Sequence, residues 1–477
     1  MTTATFAHAV LTQPTTTTNG MKAFAGTGNA CVQLFYAIGA MRGKDVIPLF
    51  KAAYAENMEL ALRIAMWSRD IRGGAGERQI FKDILAHLEI TNQDQQVRAL
   101  IDKIPEIGRA DDMLINWKTV GVRNYAFTVY EEQLRNGNGL FYKFLPREKS
   151  AKKRLAAELR SFFGLTPRQY RKLASANTTV TETQMCAKDW DNINFSHVPS
   201  VAASRYKKAF KRNAPVVFTE YVEKLTKGDP SVKVNSSAIF PYTVIKGWLS
   251  SRTDPTIRAH VNAQWAALPN YVGNASILPL VDLSGSMYCP AGGDTSVTCH
   301  DVALSLGLYL SEKNTGKFKD MFLTFSTDPE LLHLTGDVMD RLEAMDRSNW
   351  DMSTDIVKAL AKILEVAVVG NVPQNEMPEI LCVMSDMQFN EAAEVNHSAM
   401  ESVRAQYAAA NYTCPKLVWW NLNHKGNVPV TANEQGAALI SGFSPAIVAS
   451  ILSADPDDFS PLSIMLKTIM VPRYDMK

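Results

Sequence analysis

From Ala275 onward the chain repeats four short apolar runs of strand length, ILPLVD, MFLTFS, EILCVMSD and KLVWWNL, each closing on polar residues. Helical stretches such as DVALSLGLYLSEK and STDIVKALAKILEVAV lie between them. Strand and helix alternating at this spacing require βαβ units, because parallel neighbours can be joined only by a crossover. The expectation is a doubly wound α/β domain with a parallel sheet over residues 273–477. Its ligand site should lie outside the carboxyl ends of the strands.

Upstream the pattern is different. CVQLFYAIGAM, VIPLFKAAYA, MELALRIAMW and QIFKDILAHLEI carry apolar residues at three-to-four spacing, separated by short polar or glycine-containing breaks. Short helices strung together in this way predict an all-α helical-repeat module of HEAT-like character over residues 21–272, although no clean period is present. Residues 1–20 are threonine-rich and unpatterned, as expected of a mobile arm. A total of 477 residues exceeds what one hydrophobic core serves, in keeping with two units.

No apolar run reaches the roughly 18 residues that a membrane span needs, and MTTATFAHAVLTQPTTTTNG lacks the basic flank and apolar centre of a signal peptide. The expectation is a cytoplasmic protein with no membrane partner. The six cysteines form no CxxC pair and no histidine-spaced cluster, which favours reduced, structural thiols over disulfides or zinc.

ILPLVDLSGSMYC ends its apolar run on Asp282 and then places Ser284 and Ser286 on alternate positions, with Gly285 permitting a tight turn. A turning loop brings these three oxygens round one point. A carboxylate with hydroxyls is a hard-oxygen set, suited to Mg²⁺ first and Mn²⁺ second. Three ligands do not complete an octahedron. Thr354 in NWDMSTDIVKAL, with Asp355 beside it, and Ser385 and Asp386 closing EILCVMSD supply further oxygens from other strand ends. The competing reading makes all of them turn and N-cap residues. The segment YCPAGGDTSVT follows directly and would lie beside the site.

A formal net charge of +2 conceals an uneven distribution: residues 143–212 hold sixteen Lys/Arg against five acids, an excess of eleven. That is enough to attract a polyanion. PRQYRK and RYKKAFKR interleave cations with Tyr170, Tyr206 and Phe210, offering phosphate contacts beside rings on which unpaired bases could stack. The candidate RNA-binding residues are Arg168, Tyr170, Arg171, Lys172, Arg205, Lys207, Lys208, Lys211 and Arg212. Solvated helix faces with buried aromatics are the alternative. In RDIRGGAGERQIF, Arg69, Arg72 and Arg78 form either a phosphate-facing cluster or, as the reading favoured here, ordinary helix ends paired with Asp70 and Glu77. Cys299, His300 and Asp301 lack the base and oxyanion donors that a nucleophile needs.

ILPLVDLSGSM, Thr354 and Asp386 together resemble the metal-ion-dependent adhesion site of von Willebrand factor A domains, DxSxS, then T, then D. The resemblance implies that Asp282, Ser284, Ser286, Thr354 and Asp386 hold a divalent cation, with the hydroxyls on the metal, the carboxylates acting through water, and a partner's acidic group filling the vacant position. TGNACVQLFYAIGAMRGK, RIAMWSRDIRGGAGERQIF, IPEIGRADDML and the segment from LTPRQYRK to SRYKKAF resemble the TROVE module of the Ro autoantigen family. That likeness implies a helical ring that binds small structured RNAs on its outer surface and single-stranded 3′ ends in its central hole.

The function expected is therefore a non-enzymatic, Ro-type RNA-binding protein with a cation site for partner docking. The alternative is a cation-dependent protein-interaction scaffold that binds no RNA. A metal-dependent nuclease is disfavoured, since a single Asp-Ser-Ser-Thr-Asp set lacks the paired carboxylates that two-metal nucleases use.

Overall fold

A computed structural model of the chain describes residues 12–17, 22–176, 180–291, 294–326, 328–348, 355–387, 397–454 and 456–476. After a short antiparallel hairpin, β1 (Pro14–Thr16) with β2 (Lys22–Phe24), come α1 (Ala30–Ile38), α2 (Ile47–Glu56), α3 (Met58–Arg69), α4 (Arg78–Ile90), α5 (Asp94–Ile107), α6 (Val120–Arg135) and α7 (Gly139–Phe144). The helical half continues through α8 (Lys153–Phe162), α9 (Pro167–Ala176), α10 (Thr181–Cys186), α11 (Ser200–Asn213), α12 (Pro215–Thr226), α13 (Pro241–Ile245) and α14 (Pro255–Ala266). Most consecutive helices pack on one another, the arrangement expected of a superhelical string. The arm expected over residues 1–20 is corrected at its far end: Pro14–Thr16 pair with Lys22–Phe24, and Phe24 bridges to Val428 in the second half.

The second half begins with β3 (Ile277–Val281), a hairpin of β4 (Pro290–Ala291) and β5 (Asp294–Thr298), and α15 (Cys299–Lys313). It continues with β6 (Met321–Thr324), β7 (Leu331–His333), α16 (Val338–Asp346), α17 (Ile356–Val369), β8 (Ile380–Ser385), α18 (His397–Ala409), β9 (Lys416–Asn421), β10 (Ala437–Ser441), α19 (Ile447–Leu452) and α20 (Pro461–Ile469). The four strands expected from the sequence are β3, β6, β8 and β9. The main sheet has the order β10-β9-β8-β3-β6-β7 and is parallel except for β7, which runs antiparallel to β6 at one edge. The sheet is thus mixed where a parallel one was expected, because a short loop folds the chain straight back after β6.

Side chains on each strand alternate between two cores. Ile277, Val281, Ile380, Met384, Val418, Trp420, Ala438 and Ile440 face one side, whereas Leu278, Leu280, Leu381, Val383, Leu417, Trp419 and Leu439 face the other. Period-two alternation of apolar residues on both faces is what a sheet covered on both sides requires. Ile356, Leu360, Val403 and Tyr407 of α17 and α18 cover the second face. The first face merges into one continuous core with α15 and the helical half. Gly307 lies within α15 against β3: a Cβ there would stand 2.5 Å from Val281 Cγ2, so only glycine lets the helix approach so closely.

Both ends of the helical half are tied to the α/β domain. At the start, Gly39 N–H donates to Ser441 Oγ at 3.0 Å, and Arg473 pairs with Asp70. At the other end, Arg258 bridges to Asp337 at 2.5 Å and to Asp340 at 2.6 Å. The chain therefore closes on itself through the α/β domain.

Candidate cation site and nucleic-acid interface

The sheet order changes direction between β3 and β8, so the crevice outside their carboxyl ends is the topological switch point at which α/β folds bind ligands. Parallel pairing of Val281 with Met384, extended by Asp282 N–H donating to Met384 O at 3.0 Å, sets Asp282 beside Ser385 and Asp386. Asp282 Oδ2 accepts from Ser385 Oγ at 2.6 Å, and Oδ1 accepts from Ser284 N at 3.0 Å. The Ser284 and Ser286 hydroxyl oxygens lie 3.1 Å apart. Asp282, Ser284, Ser385 and Asp386 are buried, and Ser286 is exposed. Burial pushes the Asp282 carboxyl up and the nearby Asp386 carboxylate adds to this, against hydrogen bonds from Ser284 and Ser385.

Four of the five sequence-predicted ligands thus belong to one strand-end cluster, and the fifth, Thr354, lies outside the described residues. Asp355 caps α17 by accepting from Val357 N and Lys358 N. Among the described residues, no group of three or more His, Cys, Asp or Glu is placed to hold a metal, so a cation here depends on serine hydroxyls as well as carboxylates. Two buried carboxylates side by side leave a charge deficit that a divalent cation fits. Lys425, absent from the sequence reading, meets part of that deficit: its Nζ lies 2.9 Å from Asp386 Oδ2. Asp301 forms a capping box with Thr298 at the start of α15, a structural use of this carboxylate beside His300.

The second site is a cavity of about 640 Å³ between the turn joining α3 to α4, helices α11 and α13, and β5. Six cations line it: Arg42, Arg78, Arg205, Lys207, Lys208 and Lys246. The one acid in the lining, Glu77, is engaged by Arg42 through Nε at 2.9 Å and Nη2 at 2.5 Å. Phe240 and Tyr242 add a pair of half-buried rings stacked at 5.8 Å and 26°. Burial pulls the Lys207 ammonium down to about 8, and the Lys208 charge pulls the same way.

The sequence-predicted RNA residues separate into two groups. Arg205, Lys207 and Lys208 line the cavity, whereas Lys211 is held by Asp254 at 2.6 Å and Arg212 is exposed. Arg168, Arg171 and Lys172 are exposed on α9, away from the cavity lining, and Arg171 pairs with Glu148 at 2.8 Å. Tyr170 is corrected: its ring is buried and its hydroxyl donates to Pro146 O at 3.0 Å, so it is no stacking surface. Phe210 is likewise a core residue. The rings that do line basic surface lie in IFPYTVIK, where Phe240 and Tyr242 flank Pro241, five residues before Lys246; that segment carried the signal. In RDIRGGAGERQIF, Arg69 is buried against Asp112 at 2.6 Å, while Arg78 reaches the cavity.

A family model described as "Domain of unknown function (DUF7788)" matches residues 276–460, and one described as "Domain of unknown function (DUF2828)" matches residues 17–91 and 139–277. The "Uncharacterized protein L728" of Acanthamoeba polyphaga mimivirus is 29% identical over 510 residues, covering 95% of this chain and 86% of that protein. The crystal structure of the Deinococcus radiodurans RO (RSR) protein superposes with a TM-score of 0.46 at 12% identity, covering 93% of this chain and 100% of that one. No helix among the described residues is long and apolar enough to cross a membrane.

Proposed function

We propose that this chain is a non-enzymatic RNA-binding protein that takes single-stranded RNA into the basic cavity. The observation that carries the reading is the meeting of Arg78, Arg205, Lys207, Lys208 and Lys246 with the Phe240–Tyr242 ring pair around one cavity. Cations neutralise phosphates without regard to sequence, and aromatic faces stack unpaired bases, so the combination suits a flexible strand better than a stiff duplex. Of the two RNA classes expected, single-stranded 3′ ends fit this cavity better than small structured RNAs.

In the same reading the strand-end cluster is a cation site of the von Willebrand A type. Asp282, Ser284 and Ser286, with Asp386 and Thr354, would hold Mg²⁺ or Mn²⁺. The bound ion would supply a Lewis-acidic docking point for an acidic group of a protein partner. Ser385 orients Asp282, and Lys425 holds the Asp386 carboxylate in place. A scaffold that docks proteins without RNA is the second reading, favoured by the exposure of Ser286 at the rim of this cluster.

Photo-crosslinking with 4-thiouridine-substituted single-stranded RNA tests the first reading. Adducts should map to the peptide containing Phe240 and Tyr242. Adducts confined to α9 would contradict it.

A further inference from the structure

Cys289 and Cys299 are ten residues apart in the chain, and their Sγ atoms lie 3.5 Å apart. They face each other at the base of the β4–β5 hairpin: Cys299 N–H donates to Cys289 O at 3.0 Å, next to the register pair Pro290 and Thr298. We propose that this pair is an oxidative modification site, at which a peroxide converts the two thiols to a reversible disulfide that pins the hairpin.

The two cysteines are unlike in access. Cys289 is half-buried and reaches solvent, whereas Cys299 is fully buried, with its thiol directed to Leu422 O at 3.7 Å. A peroxide therefore meets Cys289 first. Its sulfur attacks one peroxide oxygen, the O–O bond breaks, and Cys289 becomes a sulfenic acid as one water leaves. Cys299 Sγ then attacks Cys289 Sγ, the S–O bond breaks, and the hydroxyl departs with the Cys299 thiol proton as a second water. Two thiols have lost two electrons, and one peroxide has become two waters. The sulfurs must close by about 1.5 Å to reach bonding distance, a movement that side-chain rotation at the mouth of a hairpin can supply. Asn423 Nδ2 donates to Cys289 Sγ at 3.2 Å and holds it on the side facing its partner.

The site is placed to matter. Val297, two residues before Cys299, is buried and lines the basic cavity, while Asn423 is two residues from Lys425. The cross-link itself does not depend on what the cavity binds.

The test is peptide mapping of the full chain after treatment with an equimolar amount of hydrogen peroxide and alkylation of the remaining thiols. The expected result is loss of two alkylatable thiols and a linked peptide pair holding Cys289 and Cys299, both reversed by dithiothreitol. Cys289→Ser should leave Cys299 alkylatable after unfolding and yield no linked pair. Exposed Cys186 is the internal competitor. Oxidation of Cys186 with both hairpin thiols intact, or a Cys289 sulfinic acid with no cross-link, would overturn the proposal.

Discussion

Lys425 Nζ stands 2.9 Å from Asp386 Oδ2, and Asp386 in turn lies near a second buried carboxylate, that of Asp282. A divalent cation bound at the strand ends would compete with Lys425 for the same carboxylate. Lys425→Met removes the competitor. Its side chain is about a third exposed, so the pair itself contributes only about 1–2 kcal/mol after solvent screening. The variant should melt earlier than the parent in EDTA and gain more from Mg²⁺. Equal Mg²⁺ responses in the two proteins would sink the competition.

Asp282→Ala combined with Ser284→Ala should abolish any stabilisation by Mg²⁺ or Mn²⁺ and leave RNA affinity nearly unchanged, since neither residue lines the basic cavity. At a hundredfold excess over its Kd a single bound ion stabilises by about 2.7 kcal/mol, well within reach of a thermal melt. A parent protein whose melt ignores both EDTA and the double substitution would refute the cation assignment.

Lys207 would give the proposed RNA site a pH dependence. Its folded-state value of about 8 lies below the ordinary 10.5, so the folded chain loses this proton more readily than the unfolded one. Two effects follow from the sign. Stability contributed by this group rises from about pH 8 toward 10.5, because the unfolded state binds more protons there. RNA affinity moves the other way, weakening between pH 7 and 9 as one cavity charge is lost. Lys207→Arg, which stays charged, should flatten the affinity profile; an unchanged slope would exclude Lys207 from the contact surface.

The closure of the chain rests on close backbone approach at Gly39. A Cβ there would stand 2.6 Å from Ser441 O, an atom of the sheet backbone that cannot rotate away. Gly39→Ala should cost about 1–3 kcal/mol, as overpacking does elsewhere, and chemical denaturation reads it directly. A neutral result would show that the junction yields.

Much of this architecture was legible in the residues, for a physical reason. β3, β6, β8 and β9 are buried on two faces and so read as unbroken apolar runs, whereas the edge strand β7 is only three residues long and partly exposed, too short to stand out from loop. β10, AALIS, is short and rich in alanine, and gave no such signal. The Asp282, Ser284, Ser286 and Asp386 cluster could be read because each follows a recognisable strand. Lys425 could not, since nothing local ties it to Asp386, 39 residues away. The basic surface was half legible: charge counting found Arg205, Lys207 and Lys208, and the glycine-rich turn raised Arg78 as one of two readings, but Arg42 and Lys246 come from segments with no local charge excess and converge only through the fold. Tyr170 shows the limit of composition, because a tyrosine among cations looks the same whether its ring packs inward or outward.

Fluorescence anisotropy of a single-stranded RNA titrated at several salt concentrations tests the proposed RNA binding in the basic cavity most directly. The parent protein should bind with a logarithmic affinity that falls steeply with salt, at about 0.7 per neutralised phosphate. Arg205→Glu with Lys208→Glu should lower both affinity and slope, Phe240→Ala should cost about 1–3 kcal/mol at every salt concentration, and Arg168→Glu with Lys172→Glu should do far less. Absence of binding at low salt, or equal losses from the cavity and α9 variants, would contradict the account.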